Sequence, residues 1–187
     1  MAYQEAGSGA ILSAAQAISL STANVASTNV FDCTGAGVGN APTMIGPINA
    51  GVLGTNTALG TDLGVGQSNF QPGVFFTVTT AGTGSGTIAC AIQVAPDNGS
   101  YNPGTYTTLS QSQAFVGTAM VAGNNALNFW LPLPPVPSNY GIPTPRFLRV
   151  LYIGVGVAAV SMDADFMTNP PDVQSVLQYG KNFASAY

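Results

Sequence analysis

Thr87-Ile88-Ala89-Cys90-Ala91-Ile92-Gln93-Val94 is the stretch whose pattern settles the fold class. Ile88, Cys90, Ile92 and Val94 fall on one side of an extended chain. Thr87, Ala89, Ala91 and Gln93 fall on the other, the period of two that a strand requires. Pro96-Asp97-Asn98-Gly99-Ser100 then supplies a turn with a residue pair suited to positive φ, and pairing is expected to resume over residues 101–108. Upstream, Val74, Phe76 and Val78 alternate with Phe75, Thr77 and Thr79, ahead of a turn over residues 81–86. Downstream, residues 126–131 read as a strand around Phe129 and Trp130. It ends in the rigid run Pro132, Pro134, Pro135, Pro137. Residues 147–154 and 157–167 read as a pair of strands, with Val160, Met162, Ala164 and Phe166 inward and Ser161, Asp163 and Asp165 outward.

The flanking sequence is less regular. Residues 1–10 are small and polar and read as a flexible amino-terminal arm. From Ile11 to Asp32, Ile18, Leu20, Val25, Val30 and Phe31 fit strand faces better than one helical stripe. Gly35, Gly37 and Gly39 mark a turn, and residues 40–71 form a long Gly-, Thr-, Asn- and Pro-containing excursion. After Phe166 the core pattern stops. Asn169-Pro170-Pro171 breaks the chain, and Val173, Val176 and Leu177 behind Asp172 have the spacing of one or two helical turns before Gly180. The expected architecture is all-β: one antiparallel sandwich of about eight strands over residues 11–167, with extended arms at 1–10 and 168–187.

Composition narrows the function. The chain has 187 residues, of which 5% are charged, against the roughly 25% of an average soluble protein. Its formal net charge is −4, and its basic side chains are Arg146, Arg149 and Lys181, too few to neutralise a run of phosphates, which argues against nucleic-acid binding. With no histidine and two cysteines, the sequence lacks the residues for a Ser/His or Cys/His triad, a His-ligated metal or a four-thiolate zinc site. A hydrophobic fraction of 46% is ample for a core and sets the chain apart from disordered sequences. A surface this poor in charge fits a molecule covered by partners or packed in an array. The amino terminus lacks the pattern of a secretory signal, and the most apolar run, residues 147–160, is too short and interrupted to span a bilayer as a helix.

Candidate chemical motifs reduce to structural readings. Gly35-Ala36-Gly37-Val38-Gly39 and Gly82-Thr83-Gly84-Ser85-Gly86 superficially resemble phosphate loops, but neither precedes a helix pattern and no Gly-Lys-Ser/Thr occurs. Asp163 and Asp165 share a strand face. A calcium site is conceivable there, and a solvated outer face is the preferred reading. Of Phe129 and Trp130, one is expected in the core, the alternative being an exposed binding platform. Arg146 and Arg149 are expected to form local salt bridges, the alternative being an acidic partner surface. Cys33 and Cys90 read as buried reduced thiols, with a disulfide as the alternative. No catalytic residue, cofactor or metal is expected.

Several stretches, taken in order, resemble one family. Ile11-Leu12-Ser13-Ala14-Ala15-Gln16-Ala17, Ala26-Ser27-Thr28-Asn29-Val30-Phe31-Asp32, Ile92-Gln93-Val94-Ala95-Pro96-Asp97-Asn98, Pro132-Leu133-Pro134-Pro135 and Phe147-Leu148-Arg149-Val150-Leu151-Tyr152 are similar to the capsid cement (decoration) proteins of Bordetella-type short-tailed bacteriophages. The resemblance runs over roughly residues 11–167. The chain departs from the family in its longer 40–71 region and its tail. The resemblance implies a jelly-roll β-sandwich, a dimer or trimer that binds the outside of an icosahedral head without catalysis. The expected partner is then the major capsid protein, with no nucleic acid and no membrane, and the expected location is the outer capsid surface after assembly in the host cytoplasm. The tail residues Val173, Val176, Leu177, Tyr179, Phe183 and Tyr187, apolar and beyond the core pattern, are the candidates for partner contact; the alternative is a tail folded back on its own sandwich. The rival function is a glycan- or receptor-binding sandwich of a phage fibre.

Overall fold

A computed structural model describes residues 11–19, 24–33, 38–39, 73–134, 145–156 and 159–167. The two arms, the 40–71 excursion and the expected helical turns of the tail lie outside the described residues.

The described chain forms ten strand segments: β1 (Ile11–Ser19), β2 (Val25–Ala26), β3 (Phe31–Asp32), β4 (Gly73–Thr83), β5 (Thr87–Pro96), β6 (Thr107–Gln111), β7 (Phe115–Val116), β8 (Asn128–Pro132), β9 (Pro145–Val155) and β10 (Ala159–Met167). They assemble into two antiparallel sheets. One has the order β1-β10-β4-β8; the other runs β2-β9-β5-β6, with β3 paired to β9 and β7 to β5. The molecule is thus an all-β sandwich.

Alternation sets which faces meet. In the first sheet Val74, Phe76 and Val78 of β4 share a face with Met162, Ala164 and Phe166 of β10, through the register Val74↔Phe166, Phe76↔Ala164 and Val78↔Met162. In the second, Ile88, Cys90, Ile92 and Val94 of β5 lie beside Leu148, Val150 and Tyr152 of β9, and all of these are buried. Removing two such faces from water is the main stabilising contribution, roughly 25 cal/mol per Å² of apolar surface. Aromatic contacts join the layers: Phe31 of β3 meets Phe166 of β10 with ring centroids 5.0 Å apart, and Phe115 of β7 meets Phe129 of β8 at 5.0 Å.

The sheets are also tied by polar groups at the β1 edge. The Tyr152 hydroxyl donates to Ser13 Oγ at 2.8 Å, and the Ser13 hydroxyl donates to Gln16 Oε1 at 2.7 Å. Gln16 Nε2 in turn donates to the Ala26 carbonyl at 2.8 Å, so β9, β1 and β2 are linked in one chain of bonds. Such groups can be buried because each finds a partner.

Two expectations change. The strands expected at 147–154 and 157–167 appear as β9 and β10, but they do not pair with each other. β9 and β10 belong to opposite sheets, because their apolar faces meet across the core and Gly156, at φ 77°, lies in the connection between them. After the Asn98 turn only an isolated bridge, Asp97 to Pro103, forms before regular strand pairing resumes at Thr107 rather than Tyr101. There the Asp97 and Asn98 side chains take backbone N–H groups that a strand would have offered to its neighbour, and Tyr101 adopts φ 61°. Beyond these, β5 is buried on both faces, where Ala89, Ala91 and Ala95 are small and lie in register beside the larger Ile153, Leu151 and Phe147.

Candidate interaction surface

The described residues offer three surfaces on which a partner could act: the outer face of the β1-β10-β4-β8 sheet, the Arg149 face of the other sheet, and the sheet edges. The predicted contact residues Val173, Val176, Leu177, Tyr179, Phe183 and Tyr187 all lie outside the described residues.

On the outer face, the pairing Phe75↔Trp130 and Thr77↔Asn128 sets four side chains opposite the core-facing Phe76 and Phe129. Asp165 and Asp163 of β10 adjoin them through Phe75 and Thr77. Phe129 is the core member of its pair, stacked on Phe76 with centroids 4.8 Å apart, whereas Trp130 is half-buried on the outside. The Trp130 Nε1 atom is buried with no hydrogen-bond acceptor among the described residues. A buried donor left this way carries a desolvation cost of about 1–3 kcal/mol. Asp163 accepts a hydrogen bond from the Ala15 amide, at the bulged part of β1 where Ala15 has φ 43°. The two aspartates therefore form a half-buried face with polar work of its own. Among the described residues no group of three His, Cys, Asp or Glu side chains could hold a metal ion.

Both arginines of the described chain are used internally. Arg146 is ion-paired with Asp32 of β3 through two contacts, Nε at 3.1 Å and Nη2 at 3.0 Å, and with Asp97 through Nη1. The side chains of Arg146 and Asp32 are only 6% and 4% exposed. The paired carboxylates hold the guanidinium charged, and the Asp32 hydrogen bond is the largest of their effects. At Asp97, partial desolvation acts to raise the carboxyl. The amides of Gly99 and Tyr101 and the Arg146 guanidinium outweigh it, leaving Asp97 below its usual value of 3.8. The local salt bridge expected of Arg146 is therefore present.

Arg149 does something different. Its Nε donates to Gln93 Oε1 at 2.9 Å and its guanidinium carbon lies 3.6 Å from the centre of the Tyr106 ring, a cation–π contact. Gln93 Nε2 completes the cluster by donating to Thr108 Oγ1 at 3.1 Å. Burial raises the Tyr106 hydroxyl above its usual value, partly offset by Arg149.

The cysteines are both buried and unpaired. Burial, followed by the nearby Asp32 charge, pushes the Cys33 thiol up to about 12, and burial alone raises Cys90. Neither is poised as a nucleophile.

The edges are notable for what they lack. β1, β2, β6, β7 and β8 contain no charged side chain. Asp32 of β3 does carry charge, but it is held by Arg146.

Sequence reasoning weighed Trp130 and the two aspartates separately and missed their neighbour Phe75. The signal was present in the alternation of β4, which puts Phe75 opposite Val74 and Phe76. The Asp97–Arg146 and Tyr106–Arg149 contacts had no local signal, since each joins residues far apart in sequence. The chain matches no protein-family model, and no curated protein matches it significantly.

Proposed function

We propose that the chain is a structural virion protein, a capsid cement protein that binds the outer surface of an icosahedral phage head. In this reading it bridges neighbouring major capsid subunits and stabilises the shell against the pressure of packed DNA. The observation that carries the reading is the uncharged set of sheet edges. Proteins that must stay apart often place Lys or Glu on such edges to prevent strand addition, whereas here it is Pro132 at the end of β8 and the bulges of β1 that blunt an edge. Edges without charge suit a molecule whose backbone hydrogen-bonds to a neighbour's sheet. The internal consumption of Arg146 and Arg149 agrees with this, because it leaves contact to apolar and backbone groups. The order of motifs along residues 11–167 adds a jelly-roll strand connectivity and a dimer or trimer to the proposal.

A seam-spanning oligomer needs no single strong contact. Holding several subunits at once raises the effective concentration of each remaining contact, and arms that order on docking extend the buried surface. No nucleophile, cofactor or metal enters. Its place is the outer capsid surface, reached after assembly in the host cytoplasm, without nucleic acid or membrane.

The test is co-sedimentation of the purified full chain with expanded, DNA-free heads of a Bordetella-type short-tailed phage. The expected result is saturable binding at a fixed ratio to shell subunits, weakened when the chain is truncated after Met167. Absence of binding by the full chain contradicts the reading.

The outer face of the β1-β10-β4-β8 sheet favours a second reading, a glycan-binding module. Aromatic rings beside carboxylates are the usual furniture of a sugar site, and Phe75 and Trp130 lie beside Asp165 and Asp163 there. Glycan binding lost in Trp130→Ala, together with no binding to heads, would favour this alternative.

A further inference from the structure

The loop after β5 holds the one Asn-Gly pair in the sequence, Asn98-Gly99. Both residues are exposed, and Gly99 has φ 88° with open space where a Cβ would stand. The Asn98 carboxamide oxygen accepts hydrogen bonds from two backbone amides, Ser100 at 2.8 Å and Asn102 at 3.4 Å. The Gly99 amide donates to Asp97 Oδ1 at 2.8 Å, and the same oxygen accepts the Tyr101 amide at 2.9 Å. Asp97 Oδ2 is anchored by Arg146, which is itself fixed by Asp32. The loop is also tied outward, by the Gly39 amide donating to the Tyr101 carbonyl at 2.7 Å.

We propose that this loop is a self-modifying site in which the fold accelerates deamidation of Asn98. The three parts of an intramolecular acyl-transfer centre are present on consecutive residues. The attacking atom is the Gly99 nitrogen. Its hydrogen bond to Asp97 runs along the N–H bond and so does not use the face from which the nitrogen would attack. As the bond from Gly99 N to Asn98 Cγ forms, the nitrogen becomes cationic and strongly acidic. Its proton passes to Asp97 Oδ1, which it already faces at 2.8 Å and which can accept it as general base although the carboxylate is held below its usual value. Negative charge then develops on Asn98 Oδ1, where the Ser100 and Asn102 amides already point, an oxyanion hole in miniature. Collapse breaks the Cγ–Nδ2 bond. Ammonia leaves with the proton returned from Asp97, and a succinimide remains. Water opens that ring to an aspartyl or isoaspartyl residue, so the net change is carboxamide plus water to carboxylic acid plus ammonia, with no redox step.

The product places a new carboxylate beside Asp97, in a chain whose formal net charge is already −4. The isoaspartyl form also lengthens the backbone between Asn98 and Gly99. Both changes act on the loop that holds Asp97, the half-buried partner of Arg146.

The test follows ammonia loss at Asn98 by peptide mass mapping of the full chain, incubated folded in buffer and unfolded in guanidinium chloride at one pH. The folded chain is expected to react about tenfold or more faster than the unfolded chain, since each of the two devices can contribute at least that much. Asp97→Asn keeps an acceptor for the Gly99 and Tyr101 amides and removes the base; with its β-sheet circular dichroism intact, it should slow the folded rate by about tenfold or more, leaving only the part due to the Ser100 and Asn102 amides. A folded rate equal to or below the unfolded one overturns the proposal, and so does an Asp97→Asn protein that folds and keeps the fast rate.

Discussion

Arg146 is the residue on which most of the polar order at one end of the sandwich depends. It reaches Asp32 across the β3–β9 pairing and Asp97 beyond the end of β5. Replacing it with alanine leaves Asp32 buried and without its cation, a change expected to cost about 3–5 kcal/mol, readable as a lower urea midpoint. Tyr152→Phe removes the donor to Ser13 Oγ while keeping the ring in the core, and should cost about 1 kcal/mol in the same experiment. Asp97, the second carboxylate partner of Arg146, and Tyr152 set opposite limbs of the pH–stability curve. Asp97 titrates below its usual 3.8 in the folded protein, so its stabilising effect is present above that value and is lost as pH falls through the folded one. Burial raises Tyr152 above its usual 10.0, so its effect is complete below that value and is lost as pH rises through the folded one. Melting temperature measured against pH should therefore fall at both ends. Asp97→Asn flattens the acid limb and Tyr152→Phe the alkaline limb; unchanged limbs in these variants would refute the assignments. Cys33 and Cys90 should resist a thiol reagent in the native protein and react once it is unfolded.

At the scale of elements, the β4–β8 pairing leaves no room at Gly73. A Cβ there would meet the Leu131 carbonyl oxygen and lie 2.6 Å from Trp130 Cζ2. Gly73→Ala is expected to force β8 away from β4, lowering the melting temperature and raising amide exchange in β8; an unperturbed melt would show that the edge strand yields freely. The strands themselves were legible in the sequence wherever one face is apolar and the other polar, as in β4 and β10. They were legible as strands but not as partners. Period two says that Val160 and Phe166 face inward, yet it does not say which sheet they join, and β9 and β10 separate because both bring an apolar face to the same core. The turn at Asn98 was legible from its residue types. Its length was not, because side chains of Asp97 and Asn98 compete with strand pairing in a way that composition does not reveal. The same limit applies to the surface: Trp130 stood out alone, while the company of Phe75, Asp163 and Asp165 depends on register.

At the scale of the whole molecule, a sandwich with little charge and uncharged edges is a poor design for a protein that must stay alone at high concentration, and a good one for a tile on a shell. Deamidation of Asn98, as proposed, makes the sandwich slowly more acidic at one end. The cement reading stands or falls on whether the protein strengthens a head. The most direct measurement is the survival of DNA-filled heads stripped of their decoration, subjected to osmotic shock with increasing amounts of the full chain added back. The account predicts that the surviving fraction rises and saturates at a fixed ratio of chain to shell subunit. Heads that rupture equally with and without the protein would contradict it.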